Sequence, residues 1–289
     1  MMASQNDNKI FCSSEYDPLN KVIMCEPQYM EIREVINETQ KYYTQNNIDQ
    51  DLAMNQHRKF TSSLRANGVE VLLLPPDNTF PEQVFTRDIG FTIGNQVFVA
   101  QMASSIRKGE EKALQKRLNF RGSPFIEMTK GIIEGGDVMI NQHTVYVGIS
   151  SRTNKRAVAI LQEALPDFKI IPIPFHEEYL HLDCVFNILS RDEALYFPAA
   201  LSDETIMMLK KQFRLIEVTE EEQFTLGTNV LSIGNKKVYS LPSNQIVNEK
   251  LRERGYDVIE IDLSEIIKSG GSFRCCTMPI LRKEEGVIV

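Results

Sequence analysis

The chain has 289 residues, of which 42% are hydrophobic and 25% charged, a composition typical of a globular protein with a large core. Its net charge of −7 and its lack of a basic tract argue against a nucleic-acid partner. The polar first residues lack the apolar core of a signal peptide, and runs such as residues 69–74 are too short to cross a membrane. Five cysteines without paired ligand spacing indicate reduced thiols and a cytoplasmic protein.

The predicted elements follow one order along the chain. A first unit has a strand at residues 21–26, a helical region within 30–66 and a closing strand at 69–74. Hairpins with turns rich in Asn, Gly, Asp or Lys are then predicted from residues 87, 135, 181, 227 and 272. The first four hairpins are each followed by a helix and a closing strand. The helices are predicted at 108–118, 154–165, 203–211 and 243–254, and the closing strands at 125–129, 169–172, 214–218 and 257–261.

Five corner residues repeat at nearly constant spacing. Asp88, Asp137, Asp183, Asn229 and Cys275 are separated by 49 residues and then by 46 three times (137 − 88, 183 − 137, 229 − 183, 275 − 229). Such a period is typical of repeat and propeller architectures. We therefore predict one α/β domain over residues 1–289, a ring of strand–strand–helix–strand units whose last hairpin pairs with the first strand. A doubly wound α/β sheet is the alternative.

A thiol and an imidazole are the candidates for chemistry. Cys275 follows the flexible pair Gly270-Gly271, as a reachable nucleophile would, although a buried structural cysteine is the commoner case. Strand alternation predicts that His181 and Asp183 share one face, where the imidazole could serve as acid and base or be a core histidine.

The other three histidines fit this role less well. His57 and His143 look solvated, and His176 is the reserve candidate.

Carboxylates are expected around this pair. Glu134 stands in EGGD, whose glycines allow close approach of another group, and Asp88 stands in FTRD at a strand start. With Asp183 they would form an acidic pocket suited to a planar guanidinium, although each could instead be a turn device or a structural ion pair. No paired metal-ligand spacing occurs, so we predict neither a metal nor a cofactor.

The ordered set FTRD, EGGD, HLD and GGxxRCxT resembles the guanidino-group modifying enzymes, or pentein superfamily, over essentially the whole chain. The resemblance implies a five-bladed α/β propeller. It also implies that Cys275 is the nucleophile and His181 the general acid/base. Glu134 would hold a guanidinium nitrogen and aid the histidine, and Asp88 and Asp183 would bind the guanidinium.

Two arginines complete the site that the resemblance implies. Arg152 matches a residue that binds the substrate's α-carboxylate, and Arg107 is expected to share that task. Both follow the second strand of their unit, which would bring them over one mouth. The alternative is a pair of surface arginines bound to Glu110 or Glu163.

The implied function is hydrolysis of the guanidinium of an arginine-type amino acid, a methylarginine or arginine, through a covalent cysteine intermediate. The chain lacks room for the helical insertion of arginine deiminases and is closer in size to the dimethylarginine hydrolases. Arg87, however, stands where typical dimethylarginine hydrolases carry Glu, and the Arg-Asp pair looks more like the deiminases. An amidinotransferase and a non-catalytic binder of an arginine-like ligand are the alternatives. The expected partner is a small cationic amino acid, and a homo-oligomer is compatible with the pattern.

Overall fold

The computed structural model describes residues 9–283. Within them the elements follow the predicted order. The strands are β1 (Leu19–Cys25), β2 (Glu70–Leu74), β3 (Gly90–Ile93), β4 (Gln96–Val99), β5 (Phe125–Glu127), β6 (Val138–Asn141), β7 (Thr144–Ile149), β8 (Lys169–Pro174), β9 (Phe186–Ile188), β10 (Glu193–Tyr196), β11 (Arg214–Glu217), β12 (Leu231–Gly234), β13 (Lys237–Ser240), β14 (Asp257–Glu260) and β15 (Met278–Arg282). The α-helices are α1 (Glu38–Tyr43), α2 (Gln50–Ala66), α3 (Glu111–Arg121), α4 (Lys155–Ala164), α5 (Asp203–Lys210), α6 (Glu220–Phe224) and α7 (Gln245–Glu253).

The strands form five three-stranded sheets of one design. In four of them an antiparallel hairpin is joined by a parallel closing strand, as in β3-β4-β5 and β6-β7-β8. In the fifth, β1 lies between β15, which is antiparallel to it, and β2, which is parallel. The predicted pairing of the last hairpin with the first strand is therefore confirmed. The second strand predicted for that hairpin lies outside the described residues.

Polar caps divide the first helical region into two helices. The side chain of Asn37 accepts a hydrogen bond from the backbone N–H of Gln40, and that of Asp49 accepts one from Leu52. A capping side chain replaces a missing intrahelical partner and so begins a helix where it stands. The predicted region 30–66 is consequently α1 and α2 with irregular chain before and between them.

An aromatic cluster joins α2 to the last site-bearing turn. The ring of Phe60 lies 5.0 Å from that of Phe273 and 5.2 Å from that of Tyr239 on β13, and all three are buried. Edge-to-face contacts of this kind add to the free energy gained by burying apolar area. The cluster fixes the backbone two residues before Cys275.

The segment before β1 crosses several sheets. Isolated bridges join Phe11 to Leu281, Cys12 to Gly94 and Ser14 to Asn141. The segment thereby carries the side chain of Glu15 into the interior, where it is 7% exposed. No helix within residues 9–283 combines the length and apolar character needed to cross a bilayer.

The expectation that His57 is solvated was wrong. His57 lies on the inner face of α2, is fully buried, and neither ring nitrogen has a hydrogen-bond partner among residues 9–283. Burial, followed by the charges of Arg65 and Arg58, lowers its pKa to about 3. In a 17-residue helix with one apolar face, polar residues occur on the buried face as well as on the exposed face. The sequence alone did not show that His57 lies on the buried face.

A pH-dependent loss of stability follows from the burial of His57. Its pKa is lower in the folded chain, so the stability it contributes is complete above the unfolded pKa of about 6.5 and declines as the pH falls toward 3. His57→Leu should therefore reduce the fall in unfolding free energy between pH 7 and pH 5 by about 2 kcal/mol. Urea titrations at both pH values measure this difference. The exposed His143→Gln is the control, and an unchanged pH dependence in His57→Leu would contradict the assignment.

Candidate active site

The turns that precede the sheets bring the corner residues together. Asn229 Nδ2 donates to Cys275 Sγ at 3.1 Å, and the backbone N–H of Cys275 donates to Asn229 Oδ1 at 3.2 Å. Asp183 Oδ2 lies 3.5 Å from the same sulfur. The Arg87 backbone N–H donates to the Cys275 carbonyl at 3.0 Å, which fixes the FTRD turn beside the thiol. Residues far apart in sequence therefore surround one sulfur.

The two glycines of EGGD permit this packing. A Cβ atom on Gly136 would lie 2.7 Å from the His181 ring and 2.9 Å from Asp88 Oδ1. A Cβ atom on Gly135 would overlap the carbonyl oxygen of Arg87. The expected close approach is present, because only a residue without Cβ leaves space for both neighbouring turns.

His181 does not lie on a strand, as the sequence had suggested. It precedes a 3₁₀ turn at Leu182–Cys184, which forms because the Leu182 N–H donates to Asp137 Oδ1 at 2.8 Å. The turn aims His181 and Asp183 in different directions. His181 faces Glu134 and Asp88, while Asp183 faces the thiol.

Two carboxylates hold the imidazole. His181 Nε2 lies 2.9 Å from Glu134 Oε2, and Nδ1 lies 3.6 Å from Asp88 Oδ1. Burial alone would lower the pKa of His181, but the charge of Asp88 and the hydrogen bond to Glu134 raise it to about 9. Conversely, the pKa of Glu134 falls to about 2 although burial opposes this, because His181 bonds to it. The pair is thus an imidazolium and a carboxylate near neutral pH.

Both predicted carboxylate-binding arginines are buried against acids. Arg107 NH1 lies 2.6 Å from Asp88 Oδ2, and its remaining donors form a fork with Glu110. Arg152 NH2 donates to the Ile36 carbonyl at 3.0 Å, and NH1 lies 3.6 Å from Glu134 Oε1 without a hydrogen-bond partner among the described residues. The surface-arginine alternative is wrong, although Arg107 does pair with Glu110. Arg152 NH1 therefore has no hydrogen-bond partner among the described residues, whereas every guanidinium nitrogen of Arg107 has one.

Cys275 is buried beside negative charge. It is 3% exposed, and burial raises the pKa of its thiol well above the usual range, with further contributions from Asp183 and Asp88. Burial and these carboxylates therefore favour the protonated form of the thiol. Its neighbour Cys276 is fully buried and is not among the described residues that line the small cavity beside Cys275.

Cys275, His181 and Asp88 line one small cavity with Arg107 and Glu82. Sequence reasoning missed Glu82, which accepts hydrogen bonds from Gln40 and Ser269 and lacks a recognisable motif. Burial raises the pKa of Glu82 to about 7. Sequence reasoning also missed the contact of Asn229 with Cys275, although the 46-residue spacing marked the position of Asn229.

The catalytic cavity is closed in this structure. Its volume is about 10 Å³, roughly the minimum that one water molecule requires. A second cavity of about 490 Å³ adjoins it, and Asn37, Leu180 and Gly270 line both. Entry of an amino acid therefore requires these shared walls to move.

Asp88, Glu134 and His181 bring possible metal-ligand atoms within 4.8 Å of one another. Both imidazole nitrogens already face carboxylates, and each carboxylate also faces an arginine. A protonated imidazole has no lone pair for a metal. In this arrangement His181 is ion-paired with the two carboxylates. The reserve histidine, His176, is exposed and lies 3.7 Å from Glu178.

This fold and this group of residues define the guanidino-group modifying, or pentein, class of α/β proteins. Residues 26–282 match the family model of eukaryotic N,N dimethylarginine dimethylhydrolase, and the chain belongs to that family. It is 53% identical over 280 residues to the uncharacterised protein YkgA of Bacillus subtilis, covering 97% of this chain and 98% of the relative.

Two further proteins illustrate the range of similarity. The N(G),N(G)-dimethylarginine dimethylaminohydrolase of Pseudomonas aeruginosa is 27% identical over 232 residues, covering 78% of this chain and 87% of the relative. The solved N-terminal domain of ArgZ, an arginine dihydrolase from cyanobacteria, superimposes with a TM-score of 0.83 at 23% identity. That superposition covers 91% of this chain and 98% of the ArgZ domain. The ArgZ likeness establishes the fold.

Proposed function

We propose that the protein hydrolyses the guanidinium group of a free arginine-type amino acid, a methylarginine or arginine, to citrulline and an amine or ammonia. The observation that carries the proposal is one small cavity lined by the Cys275 thiol, His181 and Asp88, with Glu134 hydrogen-bonded to the imidazole. We further propose that the five sheets close into a five-bladed propeller around this cavity and that the enzyme is cytoplasmic.

Binding would begin at the carboxylates. Asp88 Oδ1 has no hydrogen-bond partner within residues 9–283, while its other oxygen is held by Arg107. This oxygen, which lies 3.6 Å from His181 Nδ1, can accept a guanidinium N–H, and Asp183 Oδ2 lies 3.5 Å from the sulfur. The incoming positive charge would lower the thiol pKa that burial and these acids raise, so the thiol proton passes to solvent and the nucleophile forms only when substrate is present.

The chemistry then needs only side chains and water. The Cys275 thiolate attacks the guanidinium carbon and forms a C–S bond. His181 gives its proton to the departing nitrogen, the C–N bond breaks, and an amidino-thioether remains on Cys275. His181, now neutral, takes a proton from water, and the resulting hydroxide attacks the same carbon. The C–S bond then breaks, and the proton on the product oxygen passes to the departing sulfur, which gives citrulline and the Cys275 thiol. Glu134 steadies the imidazolium that forms in each cycle.

The substrate's amino-acid end is assigned to Arg152, whose NH2 is bonded to the carbonyl of the wall residue Ile36 and whose NH1 has no hydrogen-bond partner among the described residues. A charge-assisted hydrogen bond contributes on the order of 1.5–3 kcal/mol. Arg152→Ala should therefore raise KM for an amino-acid substrate by roughly one to two powers of ten, since each 1.4 kcal/mol is tenfold. Agmatine, which lacks the carboxylate, should be a poor substrate of the wild type.

The measurement is kcat/KM for dimethylarginine, L-arginine and agmatine, with citrulline and released amine both recorded. The exposed Arg156→Ala on the same segment is the matched control. Equal values for agmatine and the amino acids on the wild type would contradict the role of Arg152. Amine-dependent transfer without citrulline would instead identify an amidinotransferase.

A further inference from the structure

Arg274 is a buried cation directly before the nucleophile. Its side chain is 1% exposed, and its NH1 atom lies 2.8 Å from Asp183 Oδ2. NH2 donates to the Val138 carbonyl at 2.7 Å, and NH1 to the Gly136 carbonyl at 3.4 Å. These bonds hold the guanidinium in place. Arg274 is not among the described residues that line the catalytic cavity.

One carboxylate oxygen connects this cation to the thiol. Asp183 Oδ2, which binds Arg274, is also the oxygen 3.5 Å from Cys275 Sγ. A carboxylate so near a thiol disfavours the thiolate, and a cation bound to that carboxylate opposes the effect. The charge that the sulfur experiences therefore depends on the Arg274–Asp183 pair.

A second carboxylate competes for the same cation from the opposite side. Glu15 Oε1 lies 3.4 Å from Arg274 NH2, and Glu15 Oε2 lies 3.7 Å from Arg87 NH1. Burial alone would raise the pKa of Glu15, but Arg274, Arg87 and Arg282 lower it to about 2, so Glu15 is ionised across the neutral range. It arrives on the segment that crosses the sheets before β1, far from Cys275 in sequence.

We infer that Arg274 is a positioning residue that orients Asp183 and offsets its negative charge beside the nucleophile. Glu15 of the N-terminal segment competes with Asp183 for the Arg274 guanidinium and thereby controls how far that charge is offset. The inference rests on the proposed function only in taking Cys275 as the nucleophile. Asp183 would thus bind a cationic substrate without keeping the thiol permanently inactive.

Opposite effects are expected from the two ends of this chain of charges. Arg274→Gln leaves Asp183 uncompensated, which disfavours the thiolate. Glu15→Gln removes the competing carboxylate, so that Arg274 offsets the charge of Asp183 more fully, which favours the thiolate. The other groups that raise the thiol pKa are unchanged in both variants; they are Asp88, Cys184 and Cys276.

The test is the rate of alkylation of Cys275 by iodoacetamide between pH 7 and pH 10, resolved from the other four cysteines by peptide mass spectrometry. Because the thiolate is the reacting species, the rate reports its fraction. We expect Arg274→Gln to react about tenfold more slowly than the wild type, equivalent to a pKa shift of one unit, and Glu15→Gln to react faster. Asp183→Asn should restore the rate in the Arg274→Gln background, and Arg274→Lys should lie between Arg274→Gln and the wild type.

Circular dichroism and the exposed Arg191→Gln control for folding and for nonspecific charge effects. If Arg274→Gln does not fold, Glu15→Gln and Asp183→Asn still decide the matter, since both should accelerate alkylation. Slower alkylation in both Glu15→Gln and Asp183→Asn would show that Arg274 has a purely structural role and would overturn the inference. Failure of Asp183→Asn to restore the rate in the Arg274→Gln background would do the same. The reagent is neutral and no substrate is present. If the alkylation rates follow the expected order but no guanidino substrate yields citrulline, the proposed function is rejected and this inference stands.

Discussion

Cys275→Ser is expected to lower citrulline formation more than a thousandfold, a loss of the size seen when the nucleophile of a catalytic group is removed. A serine hydroxyl is far less acidic than a thiol, so the substrate's positive charge cannot ionise it at neutral pH. Among the described residues, the Cys275 sulfur contacts both Asn229 and Asp183, whereas the Cys184 sulfur contacts only Asp183 of these two, at 3.8 Å. Steady-state kinetics on the best substrate of the panel measures the loss.

Cys276→Ser is the matched control, because Cys276 is the adjacent residue and equally buried. It should keep most of the activity. Mass spectrometry of acid-quenched wild type should find the amidino adduct on Cys275. An adduct confined to Cys276 would refute the assignment of the nucleophile.

His181→Ala should separate the two halves of the reaction. Alkylation of Cys275 by a haloamidine should persist, since it needs no proton donor for a nitrogen leaving group. Release of product should be blocked, because no other histidine among residues 9–283 lines the cavity. General acid–base catalysis contributes about 10²–10⁴-fold, which is the expected loss in kcat. Single-turnover kinetics with the adduct quantified at each time point measures it.

The pH profile provides a second readout for the same residue. With a pKa of about 9, His181 is protonated below that pH and loses its proton as the pH rises through it. Proton donation to the leaving nitrogen should therefore weaken on the alkaline side. The exposed His176→Ala is the control, and a larger loss of activity in His176→Ala than in His181→Ala would show that the wrong histidine was chosen.

The order of elements was predictable because its signals are local. Hairpin turns and closing strands are encoded over a few residues, so most predicted helices and closing strands agree with the structure to within about three residues. The 46-residue period also marked Asp183, Asn229 and Cys275 as equivalent corner residues, and the structure brings the three together. What failed was the direction of side chains in turns. His181 was assigned to a strand because alternation was assumed where Asp137 in fact stabilises a 3₁₀ turn.

Partners supplied by distant segments were beyond the reach of the sequence. Glu82 and Glu15 have no motif, and each acquires meaning only from a neighbour far along the chain, Ser269 and Arg274 respectively. Of the two arginines at equivalent positions, Arg107 lines the cavity, whereas Arg152 lies against Glu134 and Ile36 and is not among the described residues that line it. Their pairing with acids could not be predicted, because it depends on which carboxylate the folded backbone brings within reach.

The pairing of β1 with β15 has a consequence for synthesis of the protein. Cys275 lies three residues before the strand that joins the first sheet, and its partners Asp183 and Asn229 emerge earlier. During translation on a ribosome the acids and the imidazole leave the exit tunnel first, and the thiol follows them. The first sheet must wait with an open edge for its last strand. The Cys275 sulfur thus enters its pocket only as that edge is covered, and a nascent chain stalled before residue 275 lacks this thiol.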